Sequence, residues 1–243
     1  MNVEITGAKI FSRLPFGILI TETQVNMWII MLVIAILCKW LTHNLKVKPE
    51  GKRQVVAEYL VNISNKFVTS NMGDQFKNFS PFIGTLFAFS LLCSLSGLLG
   101  MYPPTADLNT TTGWATVTFV LILYYKIKAN GLGGYLKGFT EPIPVLAPFN
   151  VLGEFSTPIS MAIRMFGNIS SGMVISTLVY AALAWLSSLV LQWLPGVLSD
   201  IPILQLGVPA ILSIYFDLFS GALQSFIFCM LTVLYIGQAS KGD

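Results

Sequence analysis

Charge is scarce in this chain. Among 243 residues there are 14 Lys and Arg and 11 Asp and Glu, so 10% of positions are charged while 54% are apolar. A water-facing shell needs roughly a quarter charged residues, so the shortage excludes a soluble cytosolic enzyme, and the apolar excess excludes a disordered chain. Histidine occurs once and cysteine three times. Cys38, Cys93 and Cys229 all fall in apolar runs. Odd in number and without metal-ligand spacing, they read as small buried hydrophobes rather than disulfide or metal partners. No phosphate-binding glycine loop, zinc pattern or nucleophile elbow occurs. A chain this poor in catalytic groups leaves the chemistry of an energy-coupled reaction to another subunit, and nothing in it asks for a metal or another cofactor. The net charge of +3 needs no nucleic-acid partner, because bases gathered on one side of a membrane account for it. The solvent that suits these residues is lipid.

The apolar runs predict an all-α membrane protein forming a single membrane domain, with five transmembrane helices and one amphipathic interfacial helix. Residues 1–23 form a polar external start, which lacks the order of a cleavable signal peptide and is kept as mature chain. Residues 24–42 are apolar enough to cross about 30 Å of hydrocarbon. In 46–78 charges cluster while Val55, Val56, Tyr59, Leu60, Ile63 and Phe67 recur at helical spacing, the pattern of a helix lying along the cytoplasmic membrane surface. Residues 80–127 read as a two-span hairpin, its first member rich in the small residues that let helices approach closely. Its turn contains Asp107 and Asn109, read as turn formers. The stretch 128–148 is rich in glycine and proline and reads as a cytoplasmic loop. The remainder, 149–240, holds two apolar segments of about 65 Å and 55 Å if continuous helices, too long to stand upright in a bilayer and therefore strongly tilted.

Eleven of the fourteen bases lie in 39–77, in 126–137 and at Lys241. By the positive-inside rule these segments are cytoplasmic, which puts the N-terminus outside and the C-terminus inside. Lys9 and Arg13 fall on the outer side, leaving Arg164 alone in the middle of a span, beyond snorkelling reach of either helix end. An intramembrane Arg costs a few kcal/mol on insertion scales and marks function by default. Because it does not deprotonate in a protein, it makes a poor proton relay but a good fixed barrier or counter-ion. A structural alternative is that it pairs with Asp217 to hold two helices together.

The neighbours of Arg164 favour function. Ser160, Arg164 and Asn168 are spaced i, i+4, i+8, a single polar stripe. Ser213, Asp217, Gly221 and Gln224 repeat the pattern on the last span, where Asp217 is a candidate proton carrier because burial raises a carboxylate's pKa. Two such stripes on adjacent antiparallel spans predict a shared ion path. Glu154, ten residues before Arg164, either lines an access on the cytoplasmic side or caps the helix start.

Four stretches, Arg-Met-Phe-Gly-Asn (164–168), Pro-Thr-Ala-Asp-Leu-Asn (104–109), Leu-Gln-Ser-Phe-Ile-Phe (223–228) and Leu-Thr-Val-Leu-Tyr-Ile (231–236), together resemble subunit a of bacterial F-type ATP synthases. The resemblance covers roughly residues 25–240. It implies a non-catalytic stator subunit of a bacterial plasma membrane, with two offset half-channels that load and unload ions on the carboxylates of a rotating c-subunit ring. It also implies a b-subunit peripheral stalk and the remaining synthase subunits as partners. By position Arg164 matches the family's essential arginine, Asn168 the asparagine after it and Gln224 the glutamine of the last helix. Asp217 stands where some relatives have histidine, and Met173 where they often have glutamate. The competing function is a secondary transporter binding an anionic substrate at Arg164, which predicts internal symmetry between the halves; none is visible.

Overall fold

The structure, a computed structural model, describes residues 7–13, 19–47, 51–140, 143–191 and 214–241; for 188–191 and 217 it describes the backbone alone. The polar start forms a small antiparallel pair, β1 (Ile10–Arg13) and β2 (Leu19–Thr21), with Ile10 opposite Thr21 and Arg13 opposite Leu19. β2 runs straight into α1 (Glu22–Leu41), whose first amide donates to the Lys9 carbonyl at 2.8 Å. Next come α2 (Lys52–Met72), a short 3-10 turn, α3 (Ser80–Leu95), α4 (Leu108–Gly138) and α5 (Ala147–Leu191). A π-helical segment, Ile214–Ser220, leads into α6 (Gly221–Lys241).

Solvent polarity is inverted along α1. Its buried stripe is Thr23, Asn26 and Ile30, while Trp28, Leu32, Ile36 and Trp40 are exposed. A helix with polar groups inside and large apolar groups outside is stable only where the outside is hydrocarbon. The buried polar groups are paired: Asn26 Nδ2 donates to the Tyr102 carbonyl at 2.9 Å, and Thr23 Oγ1 to Asp107 Oδ2 at 3.0 Å. Asp107 also accepts from the Asn109 amide at 3.0 Å and so caps α4, the turn-forming role read from sequence.

Helix α6 is the hub. Cys229, Val233, Ile236 and Ala239 close a core with Val68 and Met72 of α2, Ile83 of α3 and Ile122 of α4. Its other side, at Phe228, packs with Ala115 of α4 and with Met161, Ala162 and Met165 of α5.

Among the described residues, four segments are long and apolar enough to cross a bilayer: Glu22–Leu41, Asp74–Leu99, Pro144–Ser187 and Ile214–Lys241. The protein is a multi-pass, all-α membrane protein. Helix α4, the expected third span, is not among the four. Its buried stripe of Thr111, Ala115, Thr118 and Ile122 lies on the side packed in the bundle, where α5 and α6 are neighbours, while Val117, Val120 and Tyr124 on the other side are exposed; threonines on a protein-covered face lower the helix's apolarity without meeting lipid.

One local expectation changes. Past residue 127, where glycines predict a loop, α4 continues to Gly138 with one break at Gly131 (φ 69°, ψ 165°). Only this glycine uses the left-handed freedom that its missing side chain allows. In α2, Val55, Val56, Tyr59, Leu60 and Ile63 are exposed, and only the C-terminal turns, at Val68 and Met72, enter the core.

Candidate functional site

Helix α5 is one unbroken run of 45 residues, about 68 Å at 1.5 Å per residue. Its packing side is Met161, Ala162, Met165 and Ile169. The opposite side carries Ser160, Arg164, Asn168 and Ser171, all exposed, between exposed Ile159, Ile163 and Ile175. Among the described residues Arg164 has no ion-pair partner. A guanidinium thus stands within a polar stripe flanked by exposed isoleucines, available to a charge from outside the chain.

The two predicted stripes meet one turn beyond it. Asn168 Nδ2 donates to Gln224 Oε1 at 2.6 Å, joining α5 to α6 across 56 residues of sequence. Gln224 is 2% exposed, so its carbonyl has no water to fall back on and the bond fixes the helix register. A double-mutant cycle on Asn168→Ala and Gln224→Ala, read by thermal melting in detergent, is expected to give a coupling near 0.6 kcal/mol and no more than about 1.7; strict additivity would show that the bond contributes nothing.

Gly221 is where α6 passes α3 most closely: a Cβ built there would lie 3.1 Å from that of Ser94. Asp217 lies on the π-helical segment just before this crossing, a backbone form that concentrates at functional sites. Its side chain and the whole of Ser213 lie outside the described residues.

Glu154 is not a cap. It sits two turns inside α5 and receives Lys126 Nζ of α4 on both oxygens, at 2.7 and 2.9 Å. The pair lines an open cavity of about 320 Å³ with Asn130, Thr157, Tyr235 and Gln238. Pro158 has no N–H to donate to the Glu154 carbonyl four residues back, so the helix ladder lacks that bond beside this wall. Nearby, burial pushes the Tyr135 hydroxyl pKa up, and the Glu154 charge adds to the shift.

A second cavity, of about 480 Å³, lies toward the other end of α5. Ile169, Ser170 and Met173 form one wall, and Glu22, Ser94 and Tyr102 are on other elements. Burial also raises the Tyr102 hydroxyl pKa, with the Asp107 and Glu22 carboxylates adding in the same direction. Arg164 lies between the cavities along the helix, ten residues after Glu154 and nine before Met173, so about 15 and 14 Å along the axis.

An arginine with no ion-pair partner among the described residues, on a very long helix with cavities toward both ends, is joined by a sequence match over residues 24–237 to the family described as ATP synthase A chain. The chain belongs to the ATP synthase subunit a family. It is 36% identical to the "ATP synthase subunit a, sodium ion specific" of Propionigenium modestum, over 94% of this chain and 76% of that one. The Moorella thermoacetica ATP synthase subunit a is 32% identical, over 92% of each chain. ATP synthase subunit a 2 of a Bradyrhizobium strain is 30% identical, over 97% of this chain and 95% of the other. A member of this family is a non-catalytic membrane subunit serving ion transport in ATP synthesis and works in a complex with other synthase subunits.

Sequence reasoning singled out Arg164, Asn168, Gln224, Ser160 and Glu154, and the structure joins Asn168 to Gln224 by contact. It missed Lys126 as the partner of Glu154. The two are 28 residues apart on different helices, and no periodicity links them.

Proposed function

We propose that this chain is the ion-translocating stator of a rotary ATP synthase, and that Arg164 separates two half-channels reaching it from opposite faces of the membrane. The single observation that carries the reading is the position of Arg164. It is a fixed charge, unpaired among the described residues, on an exposed α5 face, flanked along the helix by one cavity containing Lys126 and Glu154 and another containing Glu22 and Met173. A cation path through the subunit would have to pass this charge, which repels it, so ions cross only on a rotor carboxylate that the guanidinium attracts as it deprotonates. Partners on this reading are a c-subunit ring against the exposed α5 face, a b-subunit stalk and lipid around α1.

The same reading gives five spans, α4 crossing inside the bundle, with α2 on the cytoplasmic surface. The N-terminus is then external and the C-terminus cytoplasmic. Arg53 over the Trp40 ring at 5.4 Å and Lys128 over the Tyr124 ring at 5.9 Å support this orientation, since aromatic rings and bases gather at the cytoplasmic interface. The half-channel from that side opens at Lys126 and Glu154. Asp217, on the segment entering α6, relays the ion between the outer cavity and the rotor, and Ser160, Asn168, Ser213 and Gln224 line its route.

The test is ATP-driven ion uptake by inverted vesicles carrying the whole complex. Asp217→Leu is expected to lower uptake to background while Asp217→Glu retains it. Native uptake in Asp217→Leu would remove the relay. A secondary transporter would purify alone, whereas this reading requires a small proteolipid and ATPase subunits to co-purify in fixed ratio.

A further inference from the structure

The outer cavity contains an acid to which neither the sequence reading nor the family match gives a role. Glu22, at the start of α1, lines it together with Ser94 of α3 and with Met173 and Ser176 of α5. Three helices far apart in sequence therefore share one cavity with this carboxylate. Two hydroxyls in the wall are orphaned: Ser94, 3% exposed, and Ser176 both bury an Oγ that has no hydrogen-bond partner among the described residues. Buried hydroxyls without partners are uncommon in folded proteins and ask for a water, an ion or a ligand. Glu22 is itself underused. Its Oε2 accepts one long bond, 3.4 Å from the Lys9 amide, and among the described residues no cation pairs with it. Met173, one of several α5 residues in this wall, has only a thioether to offer a cation.

From this convergence we propose that Glu22 is the acidic inlet group of the outer half-channel, and that it takes a hydrated monovalent cation whose water is held by the hydroxyls of Ser94 and Ser176. A half-buried carboxylate beside weak neutral acceptors raises the local concentration of cations without trapping them. The bound ion keeps part of its water, so release toward the rotor stays easy. The other charged and titratable groups lining this cavity with Glu22 are Lys9, Tyr102 and Tyr180. Asp107 stands behind them, held by Thr23 and Asn109. The inference rests on the half-channel reading given above.

The experiment is ATP synthesis by the whole complex in vesicles oriented so that ions enter through the outer cavity. Rates are measured against outer pH without sodium, and against outer Na⁺ at fixed pH. The arm that saturates identifies the ion, H⁺ or Na⁺. For that ion, Glu22→Gln is expected to raise the half-saturating concentration about tenfold with little change in maximal rate, the loss of one charged partner. Glu22→Asp should stay near native, and Ser94→Ala, which deletes only an orphaned hydroxyl, should shift in the same direction by less. Restoring a carboxylate to the same wall, Met173→Glu in the Glu22→Gln background, should recover half-saturation; a purely structural role for Glu22 would not be rescued this way. Native half-saturation in Glu22→Gln, while Arg164→Ala abolishes synthesis, overturns the inlet alone. Synthesis surviving in Arg164→Ala overturns the half-channel reading, and the inlet with it.

Discussion

Arg164→Ala is expected to abolish ATP-driven ion pumping while leaving the complex assembled. Both halves of that statement follow from where the side chain sits. Arg164 is on the exposed side of α5, whereas the packing side is Met161, Ala162, Met165 and Ile169. Among the described residues no partner loses an ion pair when the guanidinium goes. Truncation therefore opens no cavity and leaves no buried charge, the two mechanisms behind large stability losses. On the stator reading proposed above, coupling by contrast depends on a positive charge that never deprotonates. On that reading, without it a rotor carboxylate has no counter-charge to draw it into the site, and the path between the cavities loses its barrier. Pumping should fall to background, while the amount of complex recovered in detergent stays close to native. Arg164→Lys should recover only part, since a compact, strongly hydrated ammonium on a flexible stem does not replace a planar fork. Pumping at native level in Arg164→Ala would reduce this residue to a surface charge.

Gly221→Val should have the converse effect, loss of the folded subunit. At Gly221 even a single added carbon would meet the Ser94 Cβ at 3.1 Å and the Ile169 side chain at 3.9 Å, so α3, α5 and α6 all press on this point. Gly221→Ala asks the neighbours to give by a few tenths of an ångström and should be tolerated with a modest fall in melting temperature. The branched valine has nowhere to go, and overpacking of this kind costs about 1–3 kcal/mol. Complex yield and thermal melting in detergent provide the readout; equal behaviour of Ala and Val would show that the crossing is loose. Because Ser94 also lines the outer cavity, residual Gly221→Val complex should show a changed response to outer ion concentration.

Much of this was legible from residue order because lipid imposes simple rules. The extents of α1 and α5 follow from apolar runs, and the stripe Ser160, Arg164, Asn168 follows from helical period alone. The face-to-face meeting of Asn168 with Gln224 was foreshadowed by two stripes on neighbouring spans. What stayed hidden has a common physical origin: it depends on which helices become neighbours. The Lys126–Glu154 bridge joins elements whose sequences do not mention each other. The continuation of α4 past residue 127 was masked because most of its glycines adopt ordinary helical angles, and only Gly131 departs. Glu22 sat in a polar prelude that looked like solvent-exposed tail until β2 and α1 brought it beside Ser94 and Tyr102.

The threonine-lined stripe of α4 also bears on how the chain is made. A translocon releases each nascent helix into lipid according to that helix's own apolarity, and α4 falls short of the four segments that qualify. On the reading proposed above, in which α4 spans the membrane, it is therefore expected to be held back until it can leave beside a more apolar neighbour. α3 is already synthesised when α4 emerges, but the partners that cover Thr111 and Thr118 are α5 and α6, both still to come. Biogenesis thus contains an interval in which the polar stripe is complete and its shield is not, a period when an insertase or chaperone has the most to protect.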